Sequence, residues 1–121
     1  MPPSKSPALT YQTDILVAGG GLGGVSAALS ALRLGKRVIL TEKSSWLGGQ
    51  LTSQGVPFDE GPWAEQVVQS RSFWQLREGI RQFYRDRYPL TAAARGTPMF
   101  NPGQGNIGTL CHEPRVAVQV I

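Results

Sequence analysis

Between residues 14 and 42 the chain reads DILVAGGGLGGVSAALSALRLGKRVILTE, and the glycine cluster at residues 19–24 constrains it more than any other stretch. Neither a helix interior nor a strand tolerates so many glycines, because each loses the most backbone freedom on ordering. The cluster therefore reads as a tight turn. It is entered from an apolar run, Ile15-Leu16-Val17-Ala18, and left through Val25, Ala28, Leu29 and Leu32, which recur at i, i+3, i+4 and i+7 as on one helical face. Ala27, Ala28 and Ala31 are small enough to let that helix approach a sheet, and Gly35 stands where a glycine closes a helix. A second apolar run, Val38-Ile39-Leu40, leads to the acid Glu42. The order is strand, turn, helix, strand.

Gly19, Gly21 and Gly24 carry the spacing G-x-G-x-x-G. Gly19 turns the chain off the strand, Gly21 leaves room for a pyrophosphate against the backbone, and Gly24 lets helix and strand pack closely. The first N–H groups of the helix lack intrahelical partners and carry the positive end of its dipole, so they point at an anion. Glu42 lies near the spacing of about 20 residues at which an acid grips ribose hydroxyls, and its charge disfavours the 2′-phosphate of NADP. The plainer alternative is a βαβ unit whose glycines serve only its turn. The agreement of strand, helix, cap and acid favours a dinucleotide site.

A chain of 121 residues is at most one domain, with a modest net charge of +4. No apolar stretch approaches the roughly 20 residues that span a bilayer. The N-terminus, MPPSKSPALTYQT, has no apolar core of a secretory signal, and the single cysteine fits a reducing compartment, so a cytoplasmic protein is expected. Residues 1–12 read as a disordered tail and residues 13–121 as an α/β, Rossmann-like segment. A nucleotide-binding half of a doubly wound sheet needs three parallel strands, and only two are found, ending at Thr41. The last residues, 116–121, lie inside an apolar element. The expectation is the N-terminal piece of a larger protein.

After Glu42 and Lys43, residues 44–52 form a loop with a second glycine pair, Gly48-Gly49. Its N–H groups are suited to a phosphate or to the ribityl chain of a flavin; the alternative is a flexible surface turn. Residues 55–63 hold too many breakers for regular structure, and a short helix is expected from Pro62 to Gln69. Ser72 and Gln75 have capping-box spacing, Phe73, Leu76, Ile80, Phe83 and Tyr84 form an apolar helical face, and Pro89 ends the run. Arg77, Arg81 and Arg85 read as a solvated row, from which one arginine would reach an anionic cofactor or substrate in the sharper reading. Nucleic acid is disfavoured, because the aromatics share the apolar face.

Residues 90–108 read as a long loop of the kind that faces a ligand or forms a lid. Pro114 suits the first turn of a helix, whereas Val116, Val118 and Val120 alternate like a strand, so periodicity leaves the last element open. Cys111 reads as a small buried hydrophobe and His112 as a surface or hydrogen-bonded residue. Neighbours in sequence make a poor nucleophile–base pair, and two ligands are too few for a structural zinc site.

Taken together, the motif at residues 14–43, the pair in WLGGQLTSQGV, and the stretches SRSFWQLREGIRQFYRDRYPLT and NPGQGNIGTLCHEP resemble the N-terminal part of bacterial FAD-dependent oxidoreductases of the fumarate-reductase-like, two-dinucleotide-fold type. The resemblance implies that Gly19, Gly21, Leu22, Gly23 and Gly24 line the FAD pyrophosphate, that Glu42 holds the adenosine ribose and that Lys43 flanks the adenosine end. It places Gly48, Gly49, Gln50 and Leu51 toward the pyrophosphate or flavin. It also implies later strands that complete the site, an unknown small-molecule substrate, and hydride or electron transfer through the flavin. The rival expectations are an NAD-dependent dehydrogenase and a non-enzymatic, truncated or split nucleotide-binding chain.

Overall fold

The computed structural model describes residues 9–67 and 70–121. The expected tail therefore lies outside the described residues from 1 to 8, and residues 9–12 carry no regular structure. Strands β1 (Ile15–Ala18) and β2 (Val38–Thr41) pair in parallel, with Ile15 opposite Val38 and Ala18 opposite Thr41. Parallel neighbours need a crossover, and helix α1 (Leu22–Arg33) supplies it. The helix ends as the sequence predicts: Gly35 N–H donates to Leu32 O and Lys36 N–H to Ala31 O, the paired bonds of a Schellman motif. Val25, Ala28 and Ala31 are buried, whereas Ala27 faces solvent and Leu32 is 52% exposed. The sheet itself is thinly covered, with Leu16 64% exposed.

The rest of the described chain is helical and irregular. Tight 3-10 turns at Gly49–Leu51 and Pro62–Glu65 precede α2 (Arg71–Arg87), a short α3 (Ala92–Gly96) and α4 (Pro114–Val120). The helix expected from Pro62 to Gln69 is thus only a turn ending at Glu65, and Gln69 lies outside the described residues. The expected capping box at Ser72 and Gln75 does not form. The helix starts at Arg71 and is capped by Ser70, whose Oγ accepts from Phe73 N–H. Ser72 and Gln75 instead accept from the Arg33 guanidinium at 2.6 and 3.2 Å, which ties α2 to α1. The open choice at the last element falls to helix: Val116 and Ala117 are both buried, and alternation does not bury neighbours.

Helices α2 and α4 and the loops before them enclose the main core, built from Leu51, Phe58, Ile80, Tyr84, Phe100, Leu110, Val116 and Ala117. The arginine row is not solvated at two of its three positions. Arg77 and Arg81 are 0% exposed. Arg77 lies four residues after Phe73 and three before Ile80, so it falls beside the apolar face. Glu65 Oε1 accepts from Arg77 Nε and from Arg81 Nη2, both at 2.6 Å. Arg77 also reaches Thr109 Oγ1 at 2.7 Å and stacks on the Phe58 ring, while Arg81 Nε donates to Phe100 O. Residues 101–111 are drawn inward as well. Asn101 Nδ2 donates to Gly105 O, its Oδ1 accepts from Cys111 N–H, and Phe58 and Leu110 form a backbone bridge.

Candidate functional site

The glycine cluster folds as a turn between β1 and α1, and each fingerprint glycine has a separate reason to lack a side chain. Gly19 has φ +100°, a conformation L side chains rarely adopt. A Cβ on Gly24 would overlap Gly19 O, so the helix and the turn touch there. A Cβ on Gly21 would meet nothing within 4 Å, and Gly21 itself has ordinary extended dihedrals of −62° and 176°. The space beside it is open. Val25 N–H is taken by Gly21 O at 2.9 Å, and no acidic residue occupies the first turn of α1 itself.

The second glycine pair lies directly against the first. Gly48 N–H donates to Gly20 O at 2.8 Å, Gly21 and Gly48 form a parallel bridge, and a Cβ on Gly49 would stand 3.2 Å from Gly21 Cα. The flexible-turn alternative for this pair is therefore replaced by a segment docked on the fingerprint. Gln50 turns its amide toward Asp59 at 3.3 Å, and the Leu51 side chain is buried in the core, so only the backbone of Leu51 is near the glycines.

Glu42 follows β2 and meets the same turn. Its Oε2 accepts from Gly20 N–H at 2.8 Å and its Oε1 from Ser44 N–H at 2.9 Å. These bonds, the one from Ser44 foremost, hold its pKa below the ordinary carboxylate range, so the acid is charged at neutral pH. Glu42, Lys43, Thr41 and Gly19 line one recess of about 460 Å³. The structure thus gathers Gly19, Gly21, Glu42, Lys43, Gly48 and Gly49 around the end of the sheet, with Leu22, Gly23 and Gly24 in the first turn of α1.

Cys111 is buried as expected, and His112 is half-buried, with Nδ1 3.5 Å from Leu110 O. Burial lowers the His112 pKa. Both sit with α2 and the core rather than with the glycines. Sequence reasoning missed Gly20, whose N–H and C=O engage Glu42 and Gly48, and Thr52, which underlies Gly48. The repeated glycine at position 20 was the available signal; for Thr52 there was none.

A parallel pair, a glycine turn with an open face, a helix N-terminus and an acid at the end of the second strand are consistent with the N-terminal segment of a Rossmann-like dinucleotide-binding domain. Residues 14–121 match the family described as FAD dependent oxidoreductase, and the chain belongs to that family. Among curated relatives, it is 43% identical over 54 residues to a 4,4'-diaponeurosporene oxygenase of Staphylococcus haemolyticus, covering 42% of this chain and 11% of the relative. It is 47% identical over 79 residues to a 4,4'-diapolycopen-4-al dehydrogenase of Metabacillus indicus, covering 63% and 16%. An inactive all-trans-retinol 13,14-reductase of Danio rerio is 35% identical over 66 residues, covering 52% and 11%. The chain thus spans less than a fifth of the length of these relatives, and no solved structure matches it. FAD is the cofactor. The residues present fit it, since the unfilled space at Gly21 and the helix N-terminus beside it suit a diphosphate, and Glu42 suits a ribose.

Proposed function

We propose that this chain forms the diphosphate- and adenosine-binding part of the FAD site of a flavin-dependent oxidoreductase. Gly21, Gly23 and Gly24 would present backbone to the diphosphate, Glu42 would take the adenosine ribose, Lys43 would flank the adenosine end, and Gly48 and Gly49 would face the diphosphate or flavin. Bound FAD supplies the redox chemistry, hydride or electron transfer; the protein binds and orients it. The relatives carry the names oxygenase, dehydrogenase and reductase, which supports redox chemistry of this class. The reading extends to a cytoplasmic protein whose further strands cover the sheet, because a parallel sheet is normally covered on both faces and Leu16 is uncovered here.

The observation that carries the reading is the empty direction at Gly21. A Cβ there meets no protein atom within 4 Å outside its two chain neighbours, and the backbone conformation is open to any residue. In the full-length protein, Gly21→Val should leave the unfolding midpoint of the apoprotein unchanged while abolishing co-purified flavin absorbance. Flavin retained at the wild-type level by this variant would overturn the reading. Titrating the 121-residue chain beside an extended one tests the second part, with tight binding expected only from the extended chain.

A further inference from the structure

The cofactor reading above leaves open what holds the two glycine segments together, and one side chain answers it. Thr52 is 1% exposed, although it is polar and stands at the end of the Gly49–Leu51 turn. Its hydroxyl donates to Leu47 O at 2.5 Å, and its Cγ2 lies 2.8 Å from where a Gly48 Cβ would be. Its own N–H donates to Gly49 O at 3.1 Å.

Leu47 O belongs to the peptide plane whose other edge is Gly48 N–H. In a planar trans peptide the C=O and N–H point in opposite directions. That plane is therefore held at both edges: by the Thr52 hydroxyl on one, and by Gly20 O, 2.8 Å from Gly48 N, on the other. The same rule carries the alignment one step further. Gly20 O is held by Gly48, so Gly21 N–H is aimed the opposite way, and it has no partner among the described residues. A hydroxyl, two aligned peptides and a free N–H form one line, and bonds in such a line polarise one another.

We infer that Thr52 is a positioning residue for the diphosphate of the cofactor, acting through the Leu47–Gly48 and Gly20–Gly21 peptides to aim and polarise Gly21 N–H. It touches no ligand. Its contribution is specific to the hydroxyl, because Val fills the same volume and keeps the methyl under Gly48, whereas Ser keeps the donor.

The test rests on the FAD reading and is arranged to fail separately from it. Apoprotein of the full-length enzyme is titrated with FAD, and with ADP and adenosine as competing ligands, for the wild type, Thr52→Val and Thr52→Ser. Thr52→Val should weaken FAD and ADP on the order of tenfold, the effect of one lost buried hydrogen bond. It should leave adenosine, which has no diphosphate, unchanged, and Thr52→Ser should return FAD and ADP to within about threefold of wild type. Equal FAD affinity in Thr52→Val and wild type overturns the inference. So does parallel weakening of adenosine and FAD, which would mark a merely structural role. Failure of the wild type itself to bind FAD defeats the cofactor reading, and this inference with it.

Discussion

Removing the carboxylate of Glu65 tests the buried arginines most directly. Both arginines are 0% exposed in their side chains, and they share one Glu65 oxygen at 2.6 Å. In Glu65→Ala, Arg77 would retain Glu60 Oε2 at 3.4 Å and Thr109 Oγ1 at 2.7 Å. Arg81 would retain only Phe100 O at 2.9 Å, and its Nη1 already has no partner. A buried guanidinium is then left without a counter-charge, a change that costs about 3–5 kcal/mol. Glu65→Gln keeps an acceptor and loses only the charge, so about 2 kcal/mol is expected, in the range of one hydrogen bond to an ion.

The assay is urea unfolding followed by far-UV circular dichroism. At a slope of about 2 kcal/mol per molar, Glu65→Ala should lower the midpoint by about 1.5–2.5 M. Arg85 provides the control on the same helix. Its partner Glu78 is 54% exposed, so Glu78→Ala should cost at most about 1 kcal/mol. The apolar triple variant Glu65→Leu, Arg77→Met, Arg81→Met should recover most of the loss, since similar replacements are often neutral or stabilising. A cost below about 1 kcal/mol for Glu65→Ala would refute the reasoning, because it would place both arginines in contact with water.

Gly24→Ala should destabilise by about 1–3 kcal/mol or more, since its Cβ overlaps Gly19 O and backbone must move. In contrast to Gly21→Val, the unfolding midpoint of the apoprotein should fall along with flavin retention. His112 gives a pH dependence. Burial lowers its pKa, so the folded chain resists a proton that the unfolded chain accepts near its ordinary value of about 6.5. Stability should be full above about pH 6.5 and fall as the pH drops below it. His112 is the sole histidine. His112→Gln should therefore flatten the profile of urea midpoints between about pH 7 and 5.5, and parallel profiles would count against a buried neutral imidazole.

What the sequence shows well is what is local. The strand, turn, helix and Schellman end at residues 14–36 each depend on neighbours a few positions away, and all appear where the pattern places them. The arginines failed because their partners are not local: Glu65 and the Phe100 carbonyl reach α2 through loops whose course no periodicity reveals. The α2 cap was misplaced by two residues because Ser70 and Ser72 both suit a cap, and only the position of Arg33 decides which is otherwise engaged. The final element combined a helix-starting proline with alternating valines, and contact with α2 settled it. Thr52 was illegible for a different reason. Its partner is a backbone carbonyl, and every residue has one.

Stability and the proposed cofactor binding meet at one place. The main core lies among α2, α4 and the loops, and among the described residues Leu22 alone of the βαβ unit packs against it. The sheet, with Leu16 exposed, brings little burial of its own. The two halves are joined at the glycines by the Gly48–Gly20 bond and, at the other end of α1, by the bonds from Arg33 to Ser72 and Gln75 of α2. A ligand seated on that junction binds only when both halves are in place, so it stabilises the folded chain by about 2.7 kcal/mol at a hundredfold excess over its dissociation constant. That is comparable to the cost of losing a whole side chain from a core. The proposed diphosphate cradle would therefore also be a structural joint, and loosening it at Gly48 should reduce both the order of the βαβ unit and its hold on FAD.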